Sequence, residues 1–177
     1  MPKPVRRWLA WAVLMAGLAG IWGGATAQNV AVVRIDPAAG AYQAGDVFAV
    51  DVRIDRVIAL YGVDVRLAFD PSKLRVVEPA VTPRTDLLSP PWMILFNQVD
   101  NSAGAIVYVG FMVNPQVPVS GSGAICSFHF QVLAAGTTEV VISEQTLSDI
   151  NGELIPATTA GALYRVGHQV FLPLVLR

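Results

Sequence analysis

The stretch from Tyr61 to Glu78, YGVDVRLAFDPSKLRVVE, constrains the fold more than any other part of this chain. Tyr61, Val63, Val65, Leu67 and Phe69 alternate with Gly62, Asp64, Arg66 and Ala68. Period two of this kind gives a strand with one apolar face and one wet face. Asp70-Pro71-Ser72 interrupts it, because proline fixes its own φ and has no N–H to donate. Leu74, Val76 and Val77 then resume an extended run. A strand, a tight turn and a second strand follow from this pattern, with no room for a helix.

The same grammar recurs along the chain. Val30–Ile35 reads as extended, and Pro37–Asp46 as a turn region rich in Gly and Ala. Phe48, Val50, Val52 and Ile54 alternate with Ala49, Asp51 and Arg53. Pro79–Pro91 contains four prolines and reads as a long loop. Trp92–Val99 and Ala105–Met112 are strands joined by Asp100-Asn101-Ser102-Ala103-Gly104, which has hairpin-turn chemistry. Asn114–Gly123 is a Pro/Gly/Ser loop, with Ser120-Gly121-Ser122-Gly123 a flexible turn. In Ala124–Leu133, Cys126, Phe128, Phe130 and Val132 face the core, with Ile125, Ser127, His129 and Gln131 opposite. Thr138–Ser143 and Ala162–Val166 complete the set, with an Asn151-Gly152 turn between them. About nine short strands punctuated by Gly, Pro, Asn and Asp predict an all-β jelly-roll β-sandwich.

Both ends of the chain read differently. Lys3, Arg6 and Arg7 precede a 15-residue apolar run, Trp8–Trp22, and Ala25-Thr26-Ala27 supplies small residues where a signal peptidase cuts. Residues 1–27 therefore read as a secretory signal. An uncleaved anchor is the other reading, although the run is short for a ~30 Å hydrocarbon core. Cleavage would leave 150 of the 177 residues, with 9 Lys/Arg against 13 Asp/Glu, a net charge of −4. That suits one domain over residues 28–166, secreted or held at the cell surface, with no membrane span and a monomeric state expected. Nothing in the charge pattern suggests nucleic acid. Residues 167–177 form a short hydrophobic tail, either a last edge strand or a sorting or attachment segment. The single cysteine, Cys126, allows no internal disulfide and reads as a buried apolar thiol.

No catalytic constellation emerges. His129 and His168 have no metal-ligand spacing, and no G-x-S-x-G elbow is present. Ser120–Gly123 lacks the lysine of a phosphate loop. Asp51, Asp64 and Glu139 sit on wet strand faces without marking an acid/base pair. Asp149–Glu153 has too few ligand positions for a calcium loop and reads as a turn. No catalytic and no metal residue is therefore assigned.

Several segments, in order, resemble a cohesin domain, the receptor module for dockerins. They are Ala44–Phe48, Gly62–Leu74, Asn97, Gly104–Ile106, Ser122–Val132 with Gly136, the Asn151-Gly152 turn, and Gly161–Tyr164. The resemblance spans Val30 to Val166. It implies a nine-stranded jelly roll, a fold shared with carbohydrate-binding modules. It also implies a calcium-dependent dockerin partner that holds the calcium itself, so that this chain needs no cofactor. Cohesins dock through one flat sheet face. On that likeness Asp64 stands where cohesins often present an acidic or amide group, and Gly62 replaces a commonly polar residue. Arg66, Ser127, His129 and Gln131 are expected on neighbouring strands of the same face. The function implied is a secreted, non-catalytic module binding a dockerin-bearing protein and tethering polysaccharide-degrading enzymes or adhesins. The alternative is a carbohydrate-binding or adhesive module of the same fold, with polysaccharide as its partner and Trp92 as its stacking ring.

Overall fold

The computed structural model describes residues 30–88, 91–113 and 117–167, and among these there is no helix. The expected leader over 1–27, His168 and the tail beyond it lie outside the described residues. Eleven strands follow in order: β1 (Ala31–Asp36), β2 (Ala39–Gln43), β3 (Val47–Leu60), β4 (Gly62–Phe69), β5 (Leu74–Pro83), β6 (Trp92–Asp100), β7 (Ala105–Met112), β8 (Val119–Val132), β9 (Gly136–Ser148), β10 (Ala157–Ala160) and β11 (Ala162–Gly167). They build two sheets, one ordered β10-β1-β3-β8-β5 and the other β2-β11-β9-β4-β7-β6. The two sheets form the expected jelly-roll sandwich.

The two strands beyond nine are β2 and β10, and both arise where the chain changes sheet. β1 belongs to the first sheet, and past Pro37 the chain continues in the second as β2. β10 and β11 make the same crossing at Gly161. Because β1 pairs in parallel with β10, and β2 with β11, the two crossings run side by side and close this flank of the sandwich. Sequences such as AGAYQ and ATTA have too little apolar alternation to announce strands.

The other flank ends in two edge strands, β5 and β6, which side-chain amides lace together. Asn97 Nδ2 donates to Val81 O (3.5 Å), Val76 N donates to Asn101 Oδ1 (2.8 Å), and Asn101 Nδ2 donates to Val76 O (3.0 Å). Asn101 thus satisfies both backbone groups of Val76 on an edge that would otherwise invite strand addition. β5 also corrects the expectation of a loop from Pro79. Pairing with β8 skips from Val77 to Thr82 and resumes through Pro83. The prolines fall in this interruption or at the strand end, where no ladder donor is required.

Parity along each strand matches burial. Val63, Val65, Leu67 and Phe69 of β4 face inward, with Phe128 and Phe130 of β8 in the same core. Cys126 is also fully buried, and desolvation pushes its thiol well above the ordinary range. Ile125 departs from parity because it sits in a bulge: β3 Val52 pairs with Cys126, but Arg53 pairs with Ala124. The Ile125 carbonyl freed by this bulge accepts from Arg84 N (2.9 Å) and from the buried Tyr108 hydroxyl (3.3 Å). The bulge therefore connects β7, β8 and the chain leaving β5.

Ser120-Gly121-Ser122-Gly123, expected as a flexible turn, is strand. Its two hydroxyls hold two irregular points of β3, where Arg56 (φ 58°) and Ala59 (φ 56°) adopt left-handed backbone. Arg56 N donates to Ser122 Oγ (2.9 Å), and Ala59 N donates to Ser120 Oγ (2.9 Å). Each left-handed non-glycine residue costs roughly 1–2 kcal/mol, which these bonds help offset. Ser120→Ala and Ser122→Ala should each lower stability by about 1 kcal/mol in chemical denaturation. Ala59→Gly should be neutral or stabilising by up to about 1 kcal/mol; a clear destabilisation would contradict the strain assigned to this position.

Three turns share one device, an aspartate carboxylate accepting bonds from the two to four residues after it. Asp70 Oδ1 accepts from Ser72 Oγ (2.6 Å) and Ser72 N (2.9 Å). Asp100 Oδ1 accepts from Ser102 Oγ (2.6 Å), Ser102 N (2.8 Å) and Ala103 N (3.0 Å). Asp149 Oδ1 accepts from Asn151 N and Glu153 N, both at 2.8 Å. The first two turns abut: Phe69 N donates to Gly104 O (2.8 Å), and a Cβ on Gly104 (φ +65°) would lie 2.1 Å from Phe69 O. These bonds lower the carboxylate pKa of all three aspartates, the leading cause being the Ser72 hydroxyl, the Ser102 hydroxyl and the Glu153 amide respectively. The folded chain therefore resists protons that the unfolded chain accepts near pH 3.8. The stability these groups contribute is complete above that pH and is lost as pH falls below it through the lowered folded-state values. Melting temperature should drop below about pH 4, and more gently in an Asp70→Asn/Asp100→Asn/Asp149→Asn triple variant.

A mixed docking face on the second sheet

Each sheet turns one face outward, and the two outer faces differ in chemistry. On the first sheet, charges neutralise one another. Arg34 Nε donates to Asp55 Oδ2 (2.6 Å), Arg34 Nη1 lies 3.3 Å from Asp36, and Arg53 Nε lies 3.7 Å from Asp36. The bond to Asp55 is the main reason the Arg34 pKa is raised. Beside this network Ser127 donates to Asp51, and Arg75 Nη2 donates to Gln131 Oε1 (2.6 Å). In its strands the exposed large apolar residues are Val47 and Ile58.

The outer face of the second sheet is assembled in rows by the pairing of β6, β7, β4 and β9. One row runs Met93–Phe111–Gly62–Ser148, the next Phe96–Val109–Asp64–Thr146, and the third Gln98–Val107–Arg66–Glu144. The β6–β7 half is thus mainly apolar, with Met93 and Phe96 each 49 % exposed and the bulged Leu95 52 % exposed beside them. The β4–β9 half is polar. Arg66 bridges two carboxylates, with Nε 3.5 Å from Asp64 Oδ1 and Nη1 3.1 Å from Glu144 Oε2. Between the halves lies a depression of about 190 Å³ over Gly62, bordered by Asp64, Val109, Phe111, Thr146 and Ser148. An exposed apolar patch beside a polar margin is the composition of a protein-binding surface.

Of the residues singled out from sequence, Gly62, Asp64 and Arg66 lie together on this face. Ser127, His129 and Gln131 do not join them. They belong to β8, in the opposite sheet, so their outward sides point away from Asp64 and Arg66. Alternation assigns a residue to a face of its own strand but says nothing about which sheet that strand enters. Ser127 is in addition 5 % exposed, its hydroxyl committed to Asp51. His129 is half-buried, pairs with Ala49 and Val77, and keeps Nδ1 buried without a hydrogen-bond partner.

Trp92 also departs from its expected role. It is half-buried on the inward side of β6, packs against the core, and meets Tyr108 edge-on at 5.9 Å. A Cβ on Gly110 would lie 2.6 Å from the Trp92 ring, so that glycine makes space for the indole. A ring engaged on both counts is poorly placed to be a sugar-stacking platform. Sequence reasoning missed Met93, Phe96, Val107, Val109 and Phe111. Their signal was a failure of alternation: WMILF and AIVYVGFM are apolar at both parities, although a sheet with one wet face should alternate.

An all-β sandwich with a mixed apolar and charged outer face has the form of a recognition module. The cohesin-domain family model matches residues 31–162, well over half the sequence, and the chain belongs to that family. A cohesin domain is non-catalytic, so no enzymatic activity is expected of it. Similar solved structures share the fold at low identity. The cohesin of a type I cohesin–dockerin complex from Clostridium thermocellum is 12 % identical, with a TM-score of 0.66 over 79 % of this chain and 95 % of that one. The sixth cohesin of scaffoldin B from Acetivibrio cellulolyticus, in complex with a Cel5 dockerin, is 17 % identical, with a TM-score of 0.62 over 78 % and 99 %. A non-cellulosomal cohesin from the archaeon Archaeoglobus fulgidus is 18 % identical, with a TM-score of 0.61 over 78 % and 91 %. No curated protein matches the chain.

Glu144 is exposed and Asp64 half-buried, and both pair with one solvent-facing guanidinium without a hydrogen bond to Asp64 Oδ1, so their pairing should matter little to folding. Asp64→Ala and Glu144→Ala should each change unfolding free energy by less than about 1 kcal/mol. A loss of several kcal/mol would mark the row as structural.

Proposed function

We propose that the chain is an exported cohesin module that binds a dockerin-bearing protein through the outer face of β6, β7, β4 and β9. The observation that carries this reading is the patch of Met93, Phe96, Val107, Val109 and Phe111 set directly against the polar rows of β4 and β9, with Val141 and Leu163 exposed farther along the same face. Burying such a patch stabilises a complex by about 25 cal/mol for each Å² of apolar surface removed from water. The Asp64–Arg66–Glu144 row beside it supplies register and selectivity. Membership of the cohesin family supports a dockerin as the class of partner. In this reading calcium belongs to the dockerin and not to this chain. The basic, apolar and small-residue pattern of residues 1–27 supports export. At or outside the cell surface the module would tether enzymes or adhesins acting on polysaccharide.

The test is capture of dockerin-bearing proteins in calcium and again in chelator, with the parent chain and with Val109→Glu. Retention should need calcium. Val109→Glu should weaken binding at least about thirtyfold, the ~2 kcal/mol of an interface hot spot, while the chain still gives a cooperative thermal melt; facing Asp64 across the strand pair, it should melt slightly lower than the parent. Equal retention in chelator, or full binding by the Val109→Glu chain, would sink the proposal.

A further inference from the structure

The structure assigns a specificity role to the depression over Gly62: we propose that it receives a basic side chain, lysine or arginine, from the docking partner. This rests on the docking reading above and adds the chemistry of the contact.

Gly62 is not among the glycines with left-handed backbone, so its conformation is open to any residue. What glycine supplies here is space. A Cβ would lie 2.6 Å from Ser148 Oγ, and its next neighbours, Phe111 Cβ and Gly110 O, are at 3.8 and 3.9 Å. Glycine within a strand costs roughly 0.5–1 kcal/mol relative to alanine, and the position returns no packing for that cost. It leaves a notch open to one side of the face, midway between the apolar and the charged halves.

The walls of the notch select an occupant. Val109 and Phe111 line one side, and Asp64, Thr146 and Ser148 line the other. A side chain with an aliphatic stem and a hydrogen-bond-donating head matches both walls at once. Charge then decides the kind of head. Arg66 is shared between Asp64 and Glu144, so this row carries two carboxylates and one guanidinium. Asp64 Oδ1 has no hydrogen-bond partner, its approach to Arg66 being an ion pair without hydrogen-bond geometry. Farther along the outer side of this sheet Glu139 has Arg165 at a diagonal position of β11 and Asp100 is engaged in its own turn, so the charge beside the notch is set by Asp64, Arg66 and Glu144. A cation at the notch balances the second carboxylate of the Asp64–Arg66–Glu144 row, an acidic head is repelled, and a purely aliphatic one leaves the row with its excess negative charge.

The experiment sorts a display library of dockerin modules, randomised at their surface positions, against the full chain. Recovered clones are then measured against Gly62→Asn, against Gly62→Asn/Ser148→Ala, and against Val109→Glu. The double variant removes the Ser148 contact, so a loss shared by both asparagine chains reports a filled notch rather than a disturbed strand; thermal melts confirm folding. The expected result is a recurrent Lys or Arg in the clones, whose replacement by Met weakens binding at least about tenfold, and a similar loss against both asparagine chains. Clones that need Val109 but carry no recurrent basic residue, or bind the asparagine chains as well as the parent, overturn the notch and leave the docking reading standing. Clones indifferent to Val109→Glu, or no clones at all, overturn both.

Discussion

Five aromatic rings cross the interior from one sheet to the other, and the rest of the architecture is arranged around that contact. Tyr42 of β2 stacks on Phe48 of β3 at 3.9 Å, and Phe48 meets Tyr164 of β11 at 5.0 Å and Phe130 of β8 at 6.0 Å. Phe130 in turn meets Phe69 of β4 edge-on at 5.2 Å. The rings come from both sheets, so neither sheet can slide without breaking several contacts. Such pairs are worth about 0.5–1.5 kcal/mol each beyond the area they bury. The Tyr164 hydroxyl is not left unpaired, because it donates to Pro37 O (2.7 Å), where β1 gives way to β2. Burial accordingly pushes the Tyr164 phenol well above its ordinary pKa. With one cysteine in the whole sequence no internal disulfide can tie the sheets together, and this packing does so instead.

The outward order of the candidate docking face is a consequence of that core. Phe69 fixes the parity of β4: Leu67, Val65 and Val63 go inward with it, so Ala68, Arg66, Asp64 and Gly62 go outward. A shift of one residue would bury the Asp64 carboxylate and expose Leu67, a penalty large enough to hold the register firmly. Pairing then carries this order sideways, setting Val109 and Thr146 on either side of Asp64.

The alternating strands were legible because they carry their burial in their own residues. β3, β4 and the Cys126–Val132 part of β8 are found from alternation alone, and Asp70-Pro71 and Asp100–Gly104 are found from turn chemistry. What escaped depends on partners distant in the chain. β2 and β10 are strands because β11 and β1 offer them edges, not because AGAYQ or ATTA prefer extension. Ser120 and Ser122 look like linker residues until β3 is seen to need their hydroxyls at Ala59 and Arg56. At the site, the outward orientation of Asp64 and Arg66 follows from parity, but the separation of His129 and Gln131 from them is a property of topology. The apolar half of the face went unread because Met93, Phe96 and Val109 resemble core residues to any rule that sends hydrophobic side chains inside.

The asymmetry between the two outer faces argues for docking on the second sheet on energetic grounds. Covering the first sheet would take Arg34, Asp36, Arg53 and Asp55 out of water when their charges already neutralise one another. Desolvating such a network costs several kcal/mol per ion, and a partner has little new to offer it. Covering the second sheet removes Met93, Phe96 and their neighbours from water at a gain, and it meets an Arg66 row with an excess carboxylate. The apolar half supplies most of the free energy, whereas the charged half penalises a wrong partner more than it rewards a right one. Docking on this face would hold a partner by one half and choose it by the other, and Gly62 lies on the boundary between them.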